Sequence, residues 1–196
     1  PESLVVAVST RLDAPTGATI GYSTSHIAAL AFVKQIATRL NMPVVVNVSQ
    51  GMNGGGHDGK SALEVAFDEF SEGGRLPGYV IVKSAGNERE WNGHALWSMS
   101  QGTRTTLGWE SSISQRASDV LEVWFESGVD AEFTLRAPSG EALPPVDRFS
   151  RRTQYCLSTG NTVDVSYTRR HRDNGDSQVL IAIRQGTGSS IAAGRW

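Results

Sequence analysis

The sequence predicts an α/β plus all-β protein. A three-layer α/β unit built on a parallel sheet spans residues 1–95, and an antiparallel β unit of sandwich or jelly-roll type spans residues 96–196. Three observations carry this expectation. Continuous apolar runs alternate with helical stripes through the first half, the order that produces parallel sheets with right-handed crossovers. Beyond residue 96 the apolar period changes to two, as in half-buried strands. Turn residues then punctuate the chain at short intervals, as in antiparallel sandwiches.

Leu4-Val5-Val6-Ala7-Val8 reads as a buried strand. Buried-type strands rarely lie so close to a natural end, so the chain is expected to be a piece of a longer protein. Ser23, Thr24 or Ser25 is the expected cap of a helix whose stripe is Ala29, Leu30, Val33, Ile36, Ala37 and Leu40. Asn41 and Pro43 stop that helix. Val44 to Ser49 is a second buried-type strand. A glycine-rich stretch follows, Gly51, Gly54, Gly55, Gly56 and Gly59. Ser61 and Glu64 form a capping box before the stripe Leu63, Ala66, Phe67 and Phe70. After Gly73-Gly74, Tyr79 to Ser84 is a third strand.

In the second half, Leu121-Val123-Phe125, Phe133-Leu135-Ala137, Val163-Val165-Tyr167 and Val179-Ile181-Ile183 each alternate with their neighbours. Ser127-Gly128, Pro138-Ser139-Gly140, Pro144-Pro145, Ser158-Thr159-Gly160 and Asn174-Gly175 separate them as turns.

Composition excludes several classes. With 39 % hydrophobic and 19 % charged residues, a chain of this size buries roughly 70 % of its unfolded surface, so disorder is excluded. No apolar run approaches the ~20 residues of a membrane span. A single cysteine, Cys156, excludes an internal disulfide and a thiolate-rich zinc site. A net charge of −2 gives no reason to expect nucleic acid.

Ligands of open parallel sheets sit beyond the carboxyl ends of the strands. Two strands here end in small residues, Ser49-Gln50-Gly51 and Ser84-Ala85-Gly86, with Asn87-Glu88 after the second. Small residues let a substrate backbone approach. A neutral amide such as Asn87 suits an oxyanion, because it stabilises developing charge without titrating. The plainer alternative is that Gly86-Asn87 forms a turn with asparagine in the left-handed region.

Val45-Val46-Asn47-Val48-Ser49-Gln50-Gly51, followed by Val80-Ile81-Val82-Lys83-Ser84-Ala85-Gly86-Asn87-Glu88, resembles the middle of a subtilisin-like serine peptidase. Gly51 to Ser61, with Asn92-Gly93-His94, is similar to the spore-germination-type branch, which carries a jelly-roll insertion between the oxyanion asparagine and the catalytic serine. The resemblance implies that Asn87 is an oxyanion donor. It implies that Ser49, Gln50 and Gly51 pair with substrate backbone and form one wall of the primary specificity pocket, and that Ser84, Ala85 and Gly86 form the other. Gln50 departs from the usual apolar residue of that wall.

The triad is not visible. Asp13 lacks the D-[ST]-G-like context of such peptidases, His57 lies in a glycine loop, and His26 reads as a surface or cap-region residue. The resemblance places the catalytic Asp and His upstream of this chain. Gly188 to Gly194 faintly echoes a nucleophile segment opening at Ser190. Only six residues follow Ser190, too few for a helix through a core. The preferred alternative is a loop leading to a strand that starts at Gly194.

Arg151-Arg152 and Arg169-Arg170-His171-Arg172 read as solvated hairpin ends without an aromatic platform for nucleic acid. Cys156 reads as a small core residue. His94 and His171 have no partner at ligand spacing, so neither a metal nor a cofactor is expected. Two function classes follow. One is a fragment of a serine endopeptidase, with a peptide or protein substrate and the remainder of the protease domain as partners. The other is a noncatalytic module binding protein or glycan, its first half a degenerate protease-like fold.

Overall fold

The structure is a computed structural model that describes residues 3–9, 20–49, 53–87, 89–112 and 116–196. The chain divides into two compact units, Pro1–His94 and Ala95–Trp196.

The first unit runs α1 (Ile20–Leu40), β1 (Val44–Val48), α2 (Ala62–Ser71), β2 (Tyr79–Lys83) and a 3-10 turn at Arg89–Trp91. Helix α1 begins before the expected caps, so Ser23, Thr24 and Ser25 lie inside it. It ends as expected: Asn41 adopts φ +52° and Met42 N–H reaches back to Ala37 O at 3.1 Å, which satisfies a carbonyl the helix would leave open. Helix α2 opens on the expected box. Ser61 Oγ accepts from Glu64 N–H at 3.4 Å, and the Glu64 carboxylate accepts from Ser61 N–H at 3.0 Å. Ser61→Ala should therefore cost roughly 0.5–2 kcal/mol, read as a lower denaturation midpoint of the intact chain; an unchanged midpoint would show the box to be dispensable.

Strands β1 and β2 are parallel, in the register Val44↔Tyr79 to Val48↔Lys83. Leu30, Val33 and Phe70 of the helices pack on Val44, Val46, Tyr79 and Ile81, so both helices lie over one face. The other face, with Val45, Val80 and Val82, is exposed. This corrects two expectations. Val44 to Ser49 and Tyr79 to Ser84 are covered on one side only, giving two layers and two parallel strands among the described residues. Leu4 to Val8 is exposed and forms no strand. An apolar run becomes a buried strand only where a neighbour pairs its edge and another layer covers its face, and the described residues supply neither to it.

The second unit holds β3 (Glu110–Ser111), β4 (Ser118–Phe125), β5 (Arg152–Cys156), β6 (Thr162–Thr168), β7 (Ser177–Arg184) and β8 (Gly194–Arg195). Four of them form an antiparallel sheet in the order β4-β7-β6-β5, and β3 pairs with β8. One sheet face is the core: Val163, Val165, Val179, Ile181 and Ile183 are buried against Leu143, Val146 and Trp196. Trp109 stacks on Trp196 with ring centroids 5.7 Å apart.

Phe133 to Ala137, expected as a strand, makes only the bridges Phe133↔Val146 and Arg136↔Ala142. Pro144 and Pro145 lack the N–H groups that would extend the ladder. Strand β5 alternates in burial but carries little apolar alternation in its sequence. As an edge strand it buries only Thr153 and Tyr155 in part, while Arg152, Gln154 and Cys156 face outward. Cys156 is thus exposed, not a core residue. The buried Asp164 on β6 is met by Arg184 of β7, with Arg152 Nη2 3.8 Å away. Glu141 joins two turns: its carboxylate accepts from Ser158 Oγ and, at 3.1 Å, from Ser158 N–H. Those bonds hold its carboxyl below the usual range.

Candidate functional site

Parallel pairing places the carboxyl ends of β1 and β2 side by side. Beyond them Ser84 N–H donates to Val48 O at 3.1 Å, which carries the pairing one residue past the strand ends. Ser49 and Ser84 therefore emerge at the same end of the sheet. Asn47 Nδ2 donates to Ser49 Oγ at 2.9 Å. Lys83 Nζ donates to Ser84 O at 2.6 Å and to Ser84 Oγ at 3.3 Å, so both oxygens of the serine have a partner from the adjacent residue. Ala85 and Gly86 are exposed, and Gly86 turns the chain at φ +92°, a conformation a residue with Cβ resists. Asn87 follows on an exposed bend. Gln50, Gly51, Glu88 and Asp13 lie outside the described residues.

The connections that leave the two strands meet again farther on. His57, in the glycine-rich stretch after β1, and His94, after the 3-10 turn, contact edge to face with ring centroids 5.0 Å apart. A Cβ on Gly93 would lie 3.5 Å from Asn53 Nδ2, so the two segments run near each other here. His57 is held at φ +54°, and its Nε2 lies 3.2 Å from Asn53 O. Thirty-seven positions separate the two imidazoles in sequence, so no ligand spacing signals the pair. Among the described residues no group of three or more His, Cys, Asp or Glu side chains is arranged to hold a metal ion.

The remaining sequence candidates fall elsewhere. His26, expected as a surface or cap-region residue, is 5 % exposed and sits in the second turn of α1. Ser190 lies in the loop between β7 and β8. Its carbonyl accepts from Asn161 Nδ2 at 2.8 Å, and Ile191 beside it is buried. His171, at the β6–β7 hairpin end, packs edge to face on Trp124 at 4.9 Å. No described helix is long and apolar enough to cross a membrane.

Neither a protein-family model nor a curated protein matches the sequence. Among solved structures the chain is similar to the Clostridium perfringens CspB protease, with a TM-score of 0.70 and 24 % sequence identity. The match covers 89 % of this chain and 36 % of that one. The likeness is one of fold: this chain shares the architecture of the matched part of that protein.

Proposed function

We propose that the chain is a piece of a subtilisin-like serine endopeptidase whose parent hydrolyses peptide bonds by serine acyl transfer. One observation carries the reading: parallel pairing puts Ser49 and Ser84 at one sheet end, with Asn87 just beyond the second strand, in a fold similar to part of a protease. In this reading residues 1–95 belong to a subtilisin-like domain and residues 96–196 to a jelly-roll-like insertion.

The division of labour follows from chemistry. Ser49, Gln50 and Gly51 offer backbone groups to an extended peptide, as an added strand would. Ser84, Ala85 and Gly86 close the opposite wall without bulk. Asn87 supplies a neutral amide to the oxyanion of the tetrahedral intermediate. The Asp and His that activate the nucleophile, and the serine itself, come from the remainder of the protease domain.

The chain by itself is then inactive, because a serine hydroxyl without an adjacent base is a weak nucleophile at neutral pH. A fluorophosphonate probe should label the full-length parent and leave this chain unmarked. Labelling of this chain at Ser190, or no labelling of the full-length parent, would overturn the assignment; the second outcome favours a noncatalytic binding module.

A further inference from the structure

We infer that His57 and His94 form a binding site for a divalent first-row transition metal of the zinc, nickel or copper type, linking the segments that follow β1 and β2. The inference is independent of any peptidase activity.

The two rings lie 5.0 Å apart between centroids and at 62° to one another, close enough for one ion to reach a nitrogen of each after small ring rotations. Both imidazoles are exposed, so hydrated metal has access and open positions can keep water. The His57 ring is held by Asn53 O and already touches the His94 ring, so the pair is partly pre-organised.

The hydrogen bond of His57 sets its role. A backbone carbonyl only accepts, so in the neutral ring the contact with Asn53 O, at 3.2 Å, assigns the proton to Nε2. Nδ1 then carries the lone pair. Metal-ligating histidines characteristically donate their other ring N–H to a carbonyl in this way, which fixes the tautomer and raises ligand basicity. The φ of +54° at His57 is compatible with this use, since histidine is among the residues enriched in that region.

Donor chemistry selects the metal. Imidazole nitrogen suits zinc, copper and nickel, whereas calcium and magnesium require oxygen ligands. Two protein ligands give modest affinity, with water completing the shell. Bound metal would hold the glycine-rich stretch to the segment around Gly93 and so restrain both connections that lead away from the strand ends.

The test uses the whole chain carrying Cys156→Ser, because the exposed thiol is itself a zinc ligand. Zinc chloride titrated by calorimetry should show one saturable site, with the ring nitrogen resonances of His57 and His94 moving together. Calcium chloride should move neither. His57→Asn retains a residue suited to positive φ while removing the imidazole. It and His94→Ala should each weaken zinc binding at least tenfold, and His171→Ala should leave it unchanged. No saturable binding, equal affinity in all three variants, or resonance shifts confined to His171 or His26 would overturn the assignment.

Discussion

Asn87→Ala in the full-length protein should lower kcat by roughly 10²–10³ while leaving KM nearly unchanged. The expectation comes from where charge develops. The ground-state carbonyl oxygen of a peptide needs little from an amide donor, but the tetrahedral intermediate carries an oxyanion, so the interaction grows as the barrier is crossed. A neutral donor avoids the desolvation that would burden a lysine at the same place. Asn87 is exposed, so its truncation should shift the melting temperature little. The backbone reversal that could have made it a structural turn residue falls on Gly86, at φ +92°. If Asn87 instead served folding, the variant would melt well below the parent and keep kcat per folded molecule. Steady-state kinetics and a melting curve on one preparation separate the two, and an unchanged kcat removes the oxyanion role.

What could be read in advance follows the range of the forces concerned. Helix α2 was legible almost to the residue, because the Ser61–Glu64 box and the Leu63–Phe70 stripe act within two turns. Strands β4, β6 and β7 were legible because alternation is a local consequence of having one buried face. The edge strand β5 was not, since an edge tolerates Arg152, Gln154 and Cys156 outward and requires little pattern. Leu4 to Val8 misled for the opposite reason: the run is apolar, but pairing depends on neighbours that no local pattern supplies.

The site divides in the same way. The strand ends and Asn87 could be located from the runs preceding them. The His57–His94 contact depends on where two loops return, which the spacing of residues does not encode. His26 lies inside α1 and not at its cap because the helix starts three residues or more ahead of the serines and threonine expected to cap it.

The largest stability effect is expected from a residue that no motif marked. Asn161 is 1 % exposed, and its side chain uses its whole hydrogen-bonding capacity. Nδ2 donates to Gln185 O at 3.1 Å and Ser190 O at 2.8 Å. Oδ1 accepts from Thr159 Oγ1 and Ala192 N–H, each at 3.0 Å. The amide thus pins the β7–β8 loop to the turn after β5. Asn161→Ala removes the partners of Ser190 O and Ala192 N–H, while Gln185 O keeps Gly188 N–H at 3.0 Å, and a buried unsatisfied group costs about 1–3 kcal/mol. A loss on the order of 3 kcal/mol or more follows, lowering the melting temperature of the second unit by roughly 10–20 °C. Asn161→Asp should be at least as severe at neutral pH, since a carboxylate would face the carbonyls of Gln185 and Ser190 with no proton to offer. Gly186→Ala should destabilise the same junction by another route: its φ is +60°, and a Cβ there would meet Gly160 O at 2.2 Å. Tryptophan fluorescence can follow all three variants, because Trp109, Trp124 and Trp196 belong to that unit. A melting temperature for Asn161→Ala within a few degrees of the parent would mean that water or loop rearrangement replaces the amide, and that the loop is not held by this side chain.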